Sequence, residues 1–502
     1  MSQAESNEIV ELTENVSASP YCNADMAPVG AAGRKWGLRD MAALWISMAA
    51  CITTYTLASS LIAGGMNWWQ AILTIFLANV IVLIPMILNA HAGTRYGIPF
   101  PVYCRASFGI RGANVPALLR ALVACGWFGI QTWIGGAAIY VIGEIYNPAW
   151  RDLPKLAVGI NVAQLGCFLF FWSINILVIF MGIDSIRVLL NIKAPLLIAL
   201  GLLLLGWAYY HANGFGPILN QPSKFEPGGE KAGQFWAFFF PALTANVGYW
   251  ATLSLNIPDF SRYARSQRSQ ALGQALGLPS TMALYAFIGV AVTSATLVIY
   301  GKEIWDPVKL LEKFPNPIVL VIAMFALCLA TLATNIAANV VSPANDFAHL
   351  CPKRIGFRTG GLITGIIGIL MMPWKLYNDP EGYIFTWLIA YSALLGAVGG
   401  ILIGDYFIIR RKRLDLAGLY RKEGPYWYSS GFNRTALIAL ILGIAPCVPG
   451  FLVEVKAVEL PPIWKELYHY AWFISFGVAL VVYVVGMWGN TAGRKTTTTS
   501  II

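Results

Sequence analysis

The residues best placed to do chemistry in this sequence are polar side chains inside long apolar runs. One run holds Trp127 and Gln131 four residues apart, and another holds Asn335 and Asn339 at the same spacing. Side chains four apart share one face of a helix. An indole face can stack on a flat ring, and an amide offers both a donor and an acceptor to the ring's edge. The spacing indicates a site for a small planar ring; the alternative is that the amides only bond neighbouring helices.

Two further apolar runs are interrupted by small and polar residues, at 47–54 and at 244–252. Transporters commonly bind their substrate where a membrane helix is broken, because the unwound backbone there exposes polar groups. The two patches are five runs apart, which is the separation expected if the second five spans repeat the first five in inverted topology. Small residues also allow close helix packing, but the matching positions favour two broken helices beside a binding site.

The elements that must position these residues are membrane-spanning helices. Hydrophobic residues make up 57% of the chain and charged residues 12%, whereas a soluble domain is about 25% charged. The apolar runs are continuous and long enough to cross a hydrocarbon core of about 30 Å, so the fold class is an all-α polytopic membrane protein. We predict about twelve spans, at residues 40–63, 68–91, 113–142, 156–180, 187–210, 233–255, 278–300, 315–341, 357–376, 382–409, 433–453 and 470–488.

The net charge of +10 is explained by topology and needs no nucleic-acid partner. With the N-terminus in the cytoplasm, 23 of the 34 Lys and Arg fall on the cytoplasmic side and 10 on the other. Cytoplasmic loops of membrane proteins carry this excess of positive charge. We therefore expect a plasma (cytoplasmic) membrane protein with both termini inside. No cleavable signal peptide and no obligate protein partner are expected. The eight cysteines form no CxxC pair and are expected to be packing residues.

The predicted spans divide the chain into a core and flanking segments. Inverted repeats would pair the first five spans with the next five. The expected units are a cytoplasmic tail at 1–38, a ten-helix core at 39–410 with repeats at about 39–210 and 233–410, two additional spans at 411–488, and a disordered cytoplasmic tail at 489–502.

Several motifs resemble those of the nucleobase–cation symport family, and the likeness runs from about residue 32 to 430. The family implies twelve helices around a LeuT-like 5+5 inverted-repeat core with helices 1 and 6 broken. It also implies inward transport of nucleobases, allantoin, hydantoins and related rings together with a cation. The motifs are GWFGIQTW at 126–133, NIPDFSRYA at 256–264, ATNIAANVVSPAN at 333–345, MMPWK at 371–375 and the stretch at 386–407.

The resemblance assigns substrate roles by position. Trp127 and Trp250 match two indoles that sandwich the substrate ring, while Gln131 and Asn339 match amides that bond its edges. Some purine-carrying relatives have Glu where this chain has Gln131. Glutamine keeps a donor that an ionised carboxylate lacks. The site is therefore expected to favour a lactam or imide, such as uracil, allantoin or a hydantoin, over adenine.

Four other positions complete the expected substrate site. Leu388 matches an apolar residue that closes the pocket, and Tyr249, which follows Gly248, matches a position used through its backbone. Cys51 stands where relatives carry an amide. One edge contact to the substrate is therefore expected to be lost or replaced.

The cation site implied by the resemblance looks weakened. Ala333 replaces a serine, so one hydroxyl ligand is missing, while Lys193 lies inside span 5. An intramembrane lysine is a functional candidate by default, and some relatives of this fold place a lysine where sodium would bind. The alternative is that Lys193 extends to the cytoplasmic face. The coupling ion is expected to be a proton or sodium, with no cofactor. The positions concerned are Ser47, Ala50, Lys193, Ala330, Ala333 and Thr334.

Other classes of membrane protein fit less well. An enzyme would need a catalytic constellation, and the sequence has no HExxH, GxSxG or paired intramembrane carboxylates. A channel would need a ring of pore-lining charges or a repeated filter loop. We therefore expect a secondary active transporter that imports a nucleobase-like ring by cation symport. A membrane sensor of the same fold and a purine- or cytosine-selective carrier remain as alternatives.

Overall fold

The structure is a computed structural model that describes residues 9–181, 183–377, 380 and 382–489. Within that part of the chain, the side chains of 183–195 and of residue 385 are not described. The predicted C-terminal tail therefore lies outside the described residues, apart from residue 489. The described chain consists of helices and irregular segments, with three isolated β-bridges.

The first half of the chain contains two interrupted helices and several continuous ones. Asn67 and Gln70 begin one of them with a reciprocal cap, in which each side chain accepts from the other's backbone N–H at 3.1 Å. The helices are α1 Leu38–Ala49, α2 Ile52–Ala63, α3 Trp68–Tyr96, α4 Phe100–Phe108, α5 Asn114–Tyr146, α6 Val162–Met181, α7 Ile183–His211, α8 Phe235–Tyr249 and α9 Ala251–Asn256.

The second half follows with longer helices and two π-helical turns. The π-helical turns, Gly382–Leu388 and Gly404–Ile409, flank one helix and form a continuous segment with it. The helices are α10 Gln267–Tyr300, α11 Pro317–Asn339, α12 Val341–Leu350, α13 Phe357–Leu370, α14 Ile389–Ile403, α15 Arg434–Ile444, α16 Val448–Glu454 and α17 Ala471–Trp488. Short helices at Phe215–Leu219, Pro258–Ser261, Pro307–Leu311, Pro373–Leu376 and Pro462–His469 join them.

Eight helical segments of the described chain are long and apolar enough to cross a membrane, and the bent pair α1 and α2 makes nine. The other predicted spans fall on α7, on α8 with α9, and on α13. The count of twelve stays a prediction. Span 8 extends further than expected, because α12 continues it to Leu350. Within α12, Asp346 is buried and pairs with Arg120 of α5 at 3.1 Å.

The broken helix α1–α2 is held against α10 by glycines. A Cβ at Gly277 would lie 2.8 Å from the Ala42 carbonyl oxygen, and one at Gly289 would lie 2.7 Å from the Tyr55 carbonyl oxygen. Only glycine permits this close approach. The packing is reciprocal, since α1 and α2 pack on α10 while α8 and α9 pack on α3. In an inverted-repeat fold, the broken helix of each half packs on a helix of the other half, as it does here.

Candidate functional site

The first interruption opens the backbone where the polar patch predicted it. α1 ends at Ala49 and α2 begins at Ile52, with a bend of 58° between them. Ala50 has ψ 90°, and Cys51 is extended at φ −153° and ψ 161°. The side chain of Cys51 therefore lies at the start of α2, followed within one turn by Thr53.

The second interruption lies between α8 and α9, and the Tyr249 side chain connects it to the first. The Tyr249 hydroxyl lies 2.7 Å from the Thr53 hydroxyl, 3.3 Å from the Thr54 hydroxyl and 3.3 Å from the Cys51 sulfur. Sequence reasoning assigned Tyr249 a backbone role, which stays a prediction. The hydroxyl contact to Cys51 was missed, because no local pattern reveals a contact between two spans.

Both indoles expected to stack on a substrate contact the same phenol ring. Trp127 lies edge-on to Tyr249 at 5.3 Å between centroids, and Trp250 lies edge-on to it at 5.0 Å. Trp45 in turn contacts Trp250 at 5.3 Å. Trp127 and Trp250 are only 6% and 4% exposed. The structure thus places the two indoles around one buried aromatic centre.

Two buried amides, Asn335 and Gln131, differ in how their polar atoms are used. Asn335 donates to the Phe128 carbonyl at 3.2 Å and accepts from Asn339 at 3.0 Å. Gln131 donates to the Thr53 hydroxyl at 3.3 Å, but its buried Oε1 has no partner among the described residues. Asn335 therefore joins α11 to α5, whereas Gln131 retains an acceptor that a ligand could use.

Gly248 and Leu388 meet at the second interruption. A Cβ at Gly248 would lie 2.9 Å from the Leu388 carbonyl oxygen and 2.8 Å from the Cβ of Ser392. Leu388 is fully buried at the end of the first π-helical turn. The absence of a side chain at Gly248 therefore lets α8 touch the segment that contains Leu388.

The first π-helical turn adds aromatic residues that sequence reasoning missed. The rings of Tyr383 and Trp387 lie 6.2 and 6.1 Å from the Trp127 ring. The Trp387 Nε1, the Tyr383 hydroxyl and the Trp250 Nε1 are buried without a partner in the described structure. Tyr383 and Trp387 are four residues apart, and only Trp387 lies within the 386–407 motif. The aromatic centre therefore contains two indole donors as well as the Gln131 acceptor.

The candidate cation positions lie at the end of α1 and in the middle of α11. The Thr334 hydroxyl donates to the Ala330 carbonyl at 2.9 Å, and Ala333 beside it is buried. α7 packs against both α1 and α11. Lys193 belongs to α7, but its side chain lies outside the described residues. Ser47 and Ala50 occupy the last turn and the C-cap of α1.

Sequence comparisons place this chain among permeases. A profile of the family of permeases for cytosine/purines, uracil, thiamine and allantoin matches residues 28–475. The purine-uracil permease of Arabidopsis thaliana is 46% identical over 479 residues, which are 94% of this chain and 78% of that protein. The allantoin permease of Bacillus subtilis is 40% identical over 467 residues, 93% of each chain.

Solved structures of Mhp1, a nucleobase-cation-symport-1 family transporter, share the fold. The inward-facing conformation gives a TM-score of 0.76 at 27% identity and covers 95% of this chain and 94% of that one. The closed conformation with bromovinylhydantoin bound gives 0.74 at 26% identity and covers 96% and 98%. This chain therefore belongs to the permease family for cytosine/purines, uracil, thiamine and allantoin. It is an integral membrane transporter with a LeuT-like helical core, and not an enzyme.

Proposed function

We propose that this protein imports a small nucleobase-like ring, uracil or a related lactam or imide such as allantoin or hydantoin, by cation symport with alternating access. One observation carries the proposal. At the two helix interruptions, Trp127 and Trp250 surround a buried aromatic centre where the Gln131 acceptor and indole donors have no partner. The names of the permease relatives support the same substrate class.

The chemistry of the unpaired atoms favours a lactam or imide. A lactam edge presents a carbonyl acceptor beside an N–H donor. The Trp387 indole N–H suits a ring carbonyl, and the Gln131 Oε1 suits a ring N–H. In this assignment Trp127 and Trp250 stack on the ring faces, and Asn339 bonds a second edge. Cys51, Gly248, Tyr249 and Leu388 complete the walls.

Transport is proposed to be driven by protons, with Lys193 in place of sodium near Ala333 and Thr334. The support is a lost hydroxyl at Ala333, a lysine in α7, and the packing of α7 against both α1 and α11. Lys193→Ala should then lose concentrative uptake while it keeps substrate exchange, with Lys375→Ala as a matched control. Uptake that rises steeply with sodium at fixed pH and ignores a proton gradient would contradict this role.

The proposed setting is the plasma membrane, with both termini in the cytoplasm. The proposed units keep the expected boundaries, with a core at 39–410 and two additional spans at 411–488. Cysteine accessibility from either side of sealed vesicles would test the orientation, because Cys351 is exposed and falls on the proposed cytoplasmic side.

Proteoliposome uptake tests the function itself. The panel contains uracil, thymine, allantoin, hydantoins, urate, cytosine and adenine, and uptake of a lactam or imide should exceed that of adenine. Preference for adenine or cytosine would support the alternative of a purine- or cytosine-selective carrier. A sensor of the same fold would bind a ring but show no counterflow, so counterflow separates a carrier from a sensor.

A further inference from the structure

A pocket lies on the proposed cytoplasmic side, and none of its lining residues belongs to the two helix interruptions. Its volume is about 420 Å³, and it forms where the N-terminal segment around Tyr21, α4, the start of α5 and the loop after α12 meet. That volume is within the range of small-ligand sites. We call it the basic pocket, because its lining includes Arg105, Arg111, Lys353 and Arg354.

The positive charge of the basic pocket has no carboxylate counterpart among the described residues. No Asp or Glu is among the described residues that line it. None of its four cations forms an ion pair in the described part of the chain, whereas Arg410 pairs with Asp405 at 2.7 Å elsewhere. Close cations without a carboxylate create a local field that attracts anions.

Arg105 is buried and held in place by neutral groups only. It is 1% exposed and donates to the Tyr21 carbonyl at 2.8 Å, the Leu419 carbonyl at 3.1 Å and the His349 Nε2 at 3.1 Å. Burial lowers the pKa of the Arg105 guanidinium to about 10, so the group keeps its charge near pH 7. A buried cation without a counter-ion is costly, and an anion in the adjoining pocket would offset that cost.

The start of α5 contributes a neutral amide to the basic pocket. Asn114, the first residue of this 33-residue helix, lines the basic pocket. Because Arg105 donates to His349 Nε2, the ring proton lies on Nδ1, which donates to the Asn114 Oδ1 at 2.7 Å. The backbone N–H groups of Asn114 and Val115 donate to the carbonyls of Arg111 and Gly112, so the anion would rely on the cations of the pocket.

We propose that the basic pocket binds a phosphate-bearing anion. Arginine side chains bond phosphate oxygens through several N–H groups at once. Arg105 is an arginine whose side chain is already held in position. The apolar side chains of Leu350 and Phe432 in the lining suit the organic part attached to the phosphate. The anion comes from one of two sources, a lipid headgroup of the cytoplasmic leaflet or a soluble phosphate ester.

Cys351 provides the readout. It lines the pocket and is exposed, whereas Cys22 is partly buried and the other six cysteines are buried. The full chain in a Cys22→Ser background would be reconstituted in nanodiscs, and the rate of maleimide labelling at Cys351 measured. The probes are inorganic phosphate and adenosine monophosphate in phosphatidylcholine nanodiscs, and increasing fractions of phosphatidylglycerol without soluble anion.

We expect saturable slowing of Cys351 labelling by one of the two kinds of probe. Protection by the soluble probes identifies a phosphate ester, and protection only by phosphatidylglycerol identifies a lipid headgroup. Arg111→Gln and Arg354→Gln, both exposed, should each raise the half-protecting concentration about tenfold. Arg413→Gln, an exposed cytoplasmic-loop arginine outside the pocket, should change it less than about twofold.

Two results would overturn the proposal. One is a labelling rate that none of the probes slows in a saturable way. The other is protection that Arg111→Gln and Arg354→Gln weaken no more than Arg413→Gln does, because the anion would then respond to general surface charge. Arg105→Gln is kept as a secondary variant, since the loss of three hydrogen bonds could prevent folding.

Discussion

The two π-helical turns of one membrane segment differ in how their buried polar groups are satisfied. In the turn Gly382–Leu388, the Tyr383 hydroxyl and the Trp387 Nε1 have no partner in the described structure. In the turn Gly404–Ile409, Asp405 accepts from Arg410 at 2.7 Å and from Tyr483 at 2.6 Å. The polar side chains compared are buried in both turns, with Tyr383 0% and Asp405 1% exposed, so burial alone does not distinguish them.

We interpret this difference as one between a proposed recognition end and a structural end of the segment. A buried polar atom without a partner costs about 1–3 kcal/mol, and π-helical turns often occur at functional sites. Unpaired donors next to Trp127 are therefore expected where a ligand supplies the missing partner. Paired polar groups are expected where the protein must hold its own helices, as where Asp405 accepts from Arg410 and from Tyr483 of α17.

The largest effect is expected at the paired end. Asp405→Ala leaves Arg410 buried without its counter-ion, which should lower the free energy of unfolding by about 3–5 kcal/mol. Thermal unfolding in detergent would measure this, with Arg413→Ala as the exposed control. If the two variants unfold at the same temperature, the ion pair does not hold this end together.

The next effect is expected at the stacking pair. Trp127→Ala or Trp250→Ala should weaken substrate binding by about 1–3 kcal/mol, by analogy with bases that stack on aromatic side chains. Trp133→Ala is the control, because Trp133 lies on the same helix but contacts Trp374 instead. Unchanged affinity in both test variants, with folding intact, would remove these indoles from the site.

The amides should affect both affinity and choice of substrate. Asn339→Ala should lose high-affinity uptake, since a ligand group left unpaired in a dry site costs about 1–3 kcal/mol. Gln131→Glu should shift preference from carbonyl-bearing to amino-bearing rings, measured as uptake ratios over the panel. A Gln131→Glu variant with the wild-type substrate ranking would show that this amide does not read the ring.

The smallest effect is expected at Trp387. Trp387→Phe keeps a ring but removes an indole N–H, which should weaken binding of a ring carbonyl by about 1 kcal/mol. Thermal stability should fall only through the lost packing of the larger ring, because no hydrogen bond among the described residues is lost. A drop in stability without a change in affinity would place Trp387 in the scaffold and break the contrast between the two turns.

The sequence predicted the helical class and the interruption of the first span, while the substrate roles of Trp127 and Trp250 stay predictions. These follow from apolar run length, small-residue patches and family motifs, which are local properties. The role of Trp387 was missed because its π-helical geometry does not follow from the 3.6-residue period. The Tyr249 contact to Cys51 and the basic pocket around Arg105 join distant parts of the chain, so no local pattern could reveal them.

The most direct test of the central claim is an experimental structure of the protein with the best-transported ring of the panel bound. The account predicts that the ring stacks on Trp127 and Trp250 at the two helix interruptions, with an N–H facing the Gln131 Oε1 and a carbonyl facing the Trp387 indole N–H. A ring bound elsewhere, or bound here with Gln131 Oε1 and the Trp387 indole N–H still unpaired, would contradict it.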